Sequence, residues 1–185
     1  MKNITIAIDA MGGENAPEKN IQGVKLFVEK NNKAKDFIFH IFGDENKILK
    51  EIRKNKISQS YYKIFHTTTV VSDNETPLTA IKSSRNSSMW KSISAQNETG
   101  ADISLSAGNT GVLLVASRMI LKMINKVNKP ALAGLWPNKN GMNVVLDLGA
   151  NIDCNENNLV EFSEMGSALY KSLFPNETPK VALLN

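Results

Sequence analysis

The sequence predicts an α/β fold, a mostly parallel sheet with helices on both faces. Three observations carry the prediction. Short apolar runs alternate with helical stretches from end to end of the chain. The stretches between the runs carry apolar residues at helical spacing rather than in alternation. Several links from run to helix are small, polar and glycine-bearing, and such folds place their working groups just past the strand C-termini.

Taken in order, "ITIAIDA" reads as a buried strand, with Ile4, Ile6 and Ile8 on one face and Thr5 and Ala7 on the other. "PEKNIQGVKLFVEKN" follows as a helix, with Ile21, Val24, Phe27 and Val28 on one stripe and Pro17 suited to the first turn. "FIFHIFG" is a second strand. Asp44 is a candidate cap for the helix "ENKILKEIRKN", whose apolar face is Ile48, Leu49 and Ile52. "YYKIFH" is a third strand. A polar segment, 67–76, leads to helical pieces around Pro77–Ser84 and Ser87–Gln96. "ADISLS" is a strand that runs into a helix from about Thr110 to Ile124. "MNVVLDLG" is a strand, followed by a loop and a helix around Leu159–Leu173, and "KVALLN" reads as a final strand. The whole, 1–185, is expected to be a single α/β domain. A chain that stops on a strand, where a working loop would begin, is expected to be truncated at its C-terminus or to be part of a larger protein.

Composition narrows the function classes. The apolar share of 42% and charged share of 22% are those of a soluble globular protein with a core. The apolar run Val112 to Ile124 is interrupted by Ser117, Arg118 and Lys122 and is too short for a bilayer span. The N-terminus does not read as a signal peptide. A single cysteine, Cys154, makes no internal disulfide, so a reducing cytoplasm is expected. The net charge of +4 does not point to nucleic acid, because the lysines are dispersed, Arg is scarce and no aromatics are interleaved for stacking. No His, Cys and carboxylate spacing suggests a metal site. There is no GxSxG elbow, Walker lysine loop or GxGxxG, and no cofactor is expected. His40, in mid-strand, reads as structural; His66, at a strand end, has no partner identifiable from the sequence.

Four loops share one character. "DAMGGENAP" (Asp9–Pro17), "SAGNTG" (Ser106–Gly111) and "DLGAN" (Asp147–Asn151) follow strands, and "RNSSMW" (Arg85–Trp90) opens a helix. Glycine lets a backbone approach a ligand closely. Free N–H groups at a helix start favour an anion. The loops therefore suit a phosphate-like or carbonyl oxygen held against backbone amides. Each has a structural reading too: Gly12–Gly13 as a turn, Asn109–Thr110 as a cap, Asp147 as an acceptor for loop amides, Arg85 as a surface residue. Convergence of the loops at one sheet edge favours the functional reading.

"IAIDAMGGENAP", "RNSSMW", "SAGNTGVLL" and "LDLGANID", in this order, resemble the bacterial acyl-ACP:phosphate acyltransferases of phospholipid synthesis, and "EMGSALY" and "PKVALLN" continue the match. The resemblance covers the chain but only the N-terminal part of the family's usual length. It implies a three-layer α/β/α fold, phosphotransacetylase-like and isocitrate-dehydrogenase-like. It implies transfer of a fatty acyl group from acyl carrier protein to inorganic phosphate, chemistry that the sequence fits without a protein nucleophile. It also implies a cytoplasmic homodimer with peripheral membrane contact, whose product feeds a membrane glycerol-phosphate acyltransferase.

On this reading Asn109 and Thr110 hold phosphate or the oxyanion, and Asp147 and Asn151 orient the facing loop. Gly12 and Gly13 give close backbone approach, and Lys82 or Arg85 supplies positive charge. Asp9, Asn86, Ser87, Ser88, Gly108, Gly111 and Gly149 complete the substrate-binding set. The family's first loop usually has Asp and His where this chain has Glu14 and Asn15, so a histidine proton shuttle is lost there. Two other readings compete. In an actin-like kinase, "IDAMGG" and "LDLGAN" would be paired phosphate loops, but Glu14 and Asn151 stand where Thr or Ser would meet ATP. A non-catalytic remnant would only bind the carrier protein or a partner.

Overall fold

The computed structural model describes residues 3–31, 33–139 and 141–184. The chain divides into two compact units, Met1–Lys122 and Met123–Asn185. In the first, β1 (Ile4–Asp9), β2 (Phe37–Gly43), β3 (Tyr62–His66) and β4 (Ile103–Leu105) form a parallel sheet in the order β3-β2-β1-β4. Helices α1 (Glu18–Lys30), α2 (Glu45–Asn55), α3 (Pro77–Ser83), α4 (Ser88–Glu98) and α5 (Thr110–Leu121) accompany it.

Strand alternation sorts the core onto two faces. Ile6, Ile8, Phe39 and Ile41 meet Ile21 and Val24 of α1 and Ile48 and Ile52 of α2. The opposite face carries Ala7 and Phe42 and packs on Ala95 of α4. Ala7 is fully buried, so the small residue brings β1 close to α4. Met89 and Ile93 of α4 pack in turn on Val112 and Ala116 of α5 and Ala80 of α3. The result is a sheet with helices on both faces, as the alternation predicts. Asp44 caps α2 by accepting the Lys47 N–H at 3.1 Å. The His66 ring Nδ1 accepts the Glu45 N–H at 3.3 Å, which gives that strand-end histidine a place at the same helix start.

The second unit departs from the predicted pattern. "GMNVV" does form a strand, β6 (Gly141–Val145), but it pairs antiparallel with β5 (Gly134–Asn138), a segment with no strand signal in the sequence. Gly134 and Pro137 argue against a strand by propensity. A hairpin tolerates Pro on an edge, and the two strands pair from Gly134↔Val145 to Asn138↔Gly141. Helix α6 (Glu156–Leu173) begins earlier than predicted because Asn155 and Asn158 make a reciprocal capping box. The predicted last strand is not formed: the described residues 180–184 have no ladder, and Leu183 and Leu184 are 78% and 82% exposed. A strand exists only through a neighbour's N–H and C=O groups, and the described residues give this segment none.

His40 ties the stability of the fold to pH. It lies buried on the α4 face of the sheet, beside Phe65, with Thr99 Oγ1 3.4 Å from its Nδ1 and Lys63 next to it in the β2–β3 register. Burial first, and the Lys63 charge second, hold its pKa below the usual histidine value. The unfolded chain therefore binds the proton more readily than the folded one. The expected outcome is a stability that is full above about pH 6.5 and falls as pH drops through that value. It levels off below the depressed folded pKa. In His40→Gln this part of the slope disappears, which urea unfolding across pH 4.5–8 (roughly the histidine titration range) measures.

Candidate functional site

Two of the four loops meet at the C-terminal edge of the parallel sheet. β1 and β4 are adjacent there, so the loops that follow them leave side by side. Asp9, the last residue of β1, is 1% exposed. Its Oδ1 accepts the Met11 N–H at 3.2 Å, and its Oδ2 accepts the Ser106 hydroxyl at 2.7 Å. Ser106 Oγ in turn accepts the Gly108 N–H at 3.1 Å. A short relay thus runs from the second loop's backbone through Ser106 to the first loop's carboxylate.

The glycines make this meeting possible. A Cβ on Gly12 would lie 2.5 Å from Asp9 Oδ2 and 2.9 Å from the Gly108 nitrogen. Gly13 has φ +88°, and a Cβ there would lie 2.8 Å from the Ala107 carbonyl oxygen. Both loops are therefore in backbone contact, a closeness that side chains would prevent. A Cβ on Gly108 would also meet the Met89 side chain at 2.9 Å, so "RNSSMW" reaches this junction through Met89.

Asn109 is the N-cap of α5. Its Oδ1 accepts the Val112 N–H at 3.1 Å, and its Nδ2 donates to the carbonyls of Asp73 and Glu75, each at 3.0 Å, and of Ser72 at 3.4 Å. The side chain is thus occupied in holding the 72–75 loop against the helix start. The N–H groups of Thr110 and Gly111, in the first turn of α5, have no intrahelical partner. Thr110 itself is exposed, and Gly111 lies against Pro77 of α3.

In "RNSSMW", Ser87 is fully buried and caps α4 by accepting the Trp90 N–H at 3.1 Å. Ser88 is buried with its hydroxyl unpartnered among the described residues, while Arg85, Asn86 and Lys82 are exposed. In this loop the serines are inside and the charge is outside.

Asp147, Gly149 and Asn151 belong to the second unit and form a cluster of their own. The Asp147 carboxylate accepts the Leu132 N–H at 2.8 Å, the Asn151 N–H at 2.7 Å and the Asn151 side-chain amide at 3.0 Å. Asn151 also donates to the Pro130 carbonyl at 2.7 Å. Burial alone would raise the Asp147 pKa, but these hydrogen bonds outweigh it and hold the carboxyl below its usual value. Both residues therefore orient the 130–132 segment, and Gly149, with φ +87°, turns the loop between them.

Sequence reasoning missed Ser106 as a site residue in its own right, together with Asn20 on α1, whose side chain reaches back to the first loop's carbonyls. Ser106 stood in the quoted motif, and the signal was an isolated hydroxyl directly after a strand. Asn20 carried no signal, because an Asn on a lysine-rich helix reads as surface.

The family model described as "Fatty acid synthesis protein" matches residues 4–185. A phosphate acyltransferase of Pelagibacter ubique is 50% identical over 184 residues, which are 100% of this chain and 54% of that protein. A phosphate acyltransferase of Parvibaculum lavamentivorans is 40% identical over 185 residues, 100% of this chain and 50% of that protein. The chain thus spans about half the length of the curated relatives it matches. Among solved structures, the EutD phosphotransacetylase from Staphylococcus aureus superimposes with a TM-score of 0.63 at 16% identity, covering 94% of this chain and 54% of that one, a likeness of fold.

Two predictions test this geometry. Gly12→Ala forces a methyl group against a buried carboxylate and a backbone nitrogen, and is expected to cost about 1–3 kcal/mol in denaturant unfolding. Asn109→Ala removes the cap and the loop anchor together, with an expected loss of about 1–3 kcal/mol. Asn109→Asp keeps the cap acceptor but not the donor, so it is expected to restore helix stability while amide exchange in the 72–75 loop stays fast.

Proposed function

Because the chain belongs to the fatty acid synthesis protein family, we propose that the protein it represents transfers a fatty acyl group from acyl carrier protein to inorganic phosphate, releasing acyl phosphate. One observation carries the reading: two glycine loops at one sheet edge, held backbone to backbone by the Asp9–Ser106 hydrogen bond, beside the open first turn of α5.

The chemistry asks little of a protein nucleophile. A phosphate oxygen attacks the thioester carbonyl carbon, a C–O bond forms, and the carbonyl oxygen takes up negative charge. The C–S bond then breaks and the thiolate departs, a leaving group that needs no strong acid. The protein's work is to orient two anionic partners and to meet the oxyanion with donors. Orientation is worth about 7–11 kcal/mol, and one well-aimed donor about 3–4 kcal/mol. In this proposal the first-turn N–H groups of Thr110 and Gly111 face the anion, and Asn109 sets that turn. Gly12, Gly13 and Gly108 give access, and Asp9 holds the loops in register. Lys82, Arg85 and Asn86, all exposed, draw phosphate in, while Ser87, buried, caps α4 behind them and Ser88 is buried beside it. Asp147, Gly149 and Asn151 act by orienting their own segment. No helix among the described residues is long and apolar enough to cross a membrane. A cytoplasmic homodimer that touches the membrane peripherally and hands acyl phosphate to a membrane glycerol-phosphate acyltransferase completes the proposal.

The test is acyl phosphate formation by the intact protein from acyl-acyl carrier protein and phosphate, trapped as the hydroxamate. Absence of product, with phosphoryl transfer from ATP in its place, would overturn the reading. Replacing both Lys82 and Arg85 by Ala is expected to raise KM for phosphate about tenfold or more with little change in kcat, read from initial rates against phosphate concentration.

A further inference from the structure

Asn20 lies in the first turn of α1, and its side-chain amide faces the loop that follows β1. Its Nδ2 is 3.0 Å from the carbonyl oxygen of Ala10, 3.0 Å from that of Gly12 and 3.5 Å from that of Asp9. The amide has two hydrogens. Ala10 and Gly12 take the two good bonds, and the Asp9 carbonyl is at the limit of reach.

Holding a carbonyl also sets the N–H that follows it. In a trans peptide the C=O of one residue and the N–H of the next point in opposite directions, and the peptides of this loop from Asp9 to Gly13 are trans. Each carbonyl turned toward Asn20 therefore turns an N–H away from α1. Two of the three have structural acceptors. The Ala10 N–H donates to the Phe42 carbonyl at 2.9 Å, and the Met11 N–H donates to Asp9 Oδ1 at 3.2 Å. The third, the Gly13 N–H, has no acceptor among the described residues.

The peptide concerned joins two glycines. Glycine visits either sign of φ at little cost, so the Gly12–Gly13 peptide has no side chain to stop it from turning over. A flip would put a carbonyl oxygen where the N–H stands and would repel an anion. Something outside the loop has to fix its orientation, and the Asn20 amide is the group bonded to the Gly12 carbonyl.

We propose that Asn20 is a positioning residue: by holding the Gly12 carbonyl it aims the Gly13 N–H at the attacking phosphate. The inference rests on the acyl-transfer reading given above. It deepens that reading by naming a donor and the side chain that directs it. Asn20 itself touches no substrate.

The experiment uses the intact protein with glycine-selective 15N labelling and two variants, Asn20→Ala and Asn20→Asp. In the unaltered protein, titration with inorganic phosphate is expected to shift the Gly13 amide resonance. In both variants that shift is lost, and kcat for acyl phosphate formation falls about tenfold or more while KM for the acyl donor holds. Variants that keep kcat within about twofold of the unaltered protein and retain the Gly13 response overturn the proposal. A Gly13 resonance in the unaltered protein that ignores phosphate while other loop amides respond overturns it too, and that measurement needs no variant. The two readings separate cleanly. A phosphate response at Gly13 that Asn20→Ala abolishes, in a protein that makes no acyl phosphate, upholds the positioning role and refutes the reaction. Undiminished acyl phosphate formation by Asn20→Ala does the reverse.

Discussion

The hydrogen bond from the Ser106 hydroxyl to the Asp9 carboxylate joins residues 97 positions apart, and the arrangement of the first unit's loops depends on it. Where they meet, neither loop has bulk with which to pack. Gly12 and Gly108 are in backbone contact, so dispersion between side chains cannot fix their separation. A buried carboxylate can, because its lone pairs are costly to leave unmet. Asp9 meets them with a donor from each loop, Met11 N–H from its own and Ser106 Oγ–H from the other. The sheet brings β1 and β4 together, and the carboxylate converts that adjacency into a register for the loops beyond.

This arrangement also sets the sign of the site. A buried anion behind the proposed anion-binding surface would work against the ligand if its field were open. Here the field is met by donors directed into it, and the Gly108 N–H polarises the Ser106 hydroxyl toward the carboxylate. The N–H groups not consumed in this way, at Gly13 and at the first turn of α5, are what remains to face a ligand. In the proposed function positive charge comes from exposed Lys82 and Arg85, which can draw an anion without being buried.

The first unit was legible because its signals were local and consistent. Alternating apolar runs named β1 to β3, helical spacing named α1 and α2, and Asp44 marked a cap that the fold uses. The second unit was less legible for two reasons. β5 contains Gly134 and Pro137, and only pairing with β6 makes it a strand. Residues 180–184 have a strand's composition without a ladder among the described residues, and composition cannot report whether a neighbour exists. At the site, glycine and Asn patterns located the loops. They could not distinguish a side chain aimed at a ligand from one spent on carbonyls, as Asn109 and Asn20 are, because both uses favour the same residue type.

That ambiguity bears on where the chemistry resides. Asn109 looks, in sequence, like a donor to the oxyanion. In the fold its acceptor goes to Val112 and its donors to the 72–75 carbonyls, so its contribution passes through the backbone it holds. The same use of a side chain holds at Asn20 and at Asp147: each bonds backbone groups of a neighbouring segment. Backbone donors suit an oxyanion because they are rigid once their peptide planes are fixed, and a donor that needs no reorientation in the transition state gives its full electrostatic benefit. The polar residues of the first-unit loops are then the means by which a glycine-rich, intrinsically loose backbone is made rigid enough to serve.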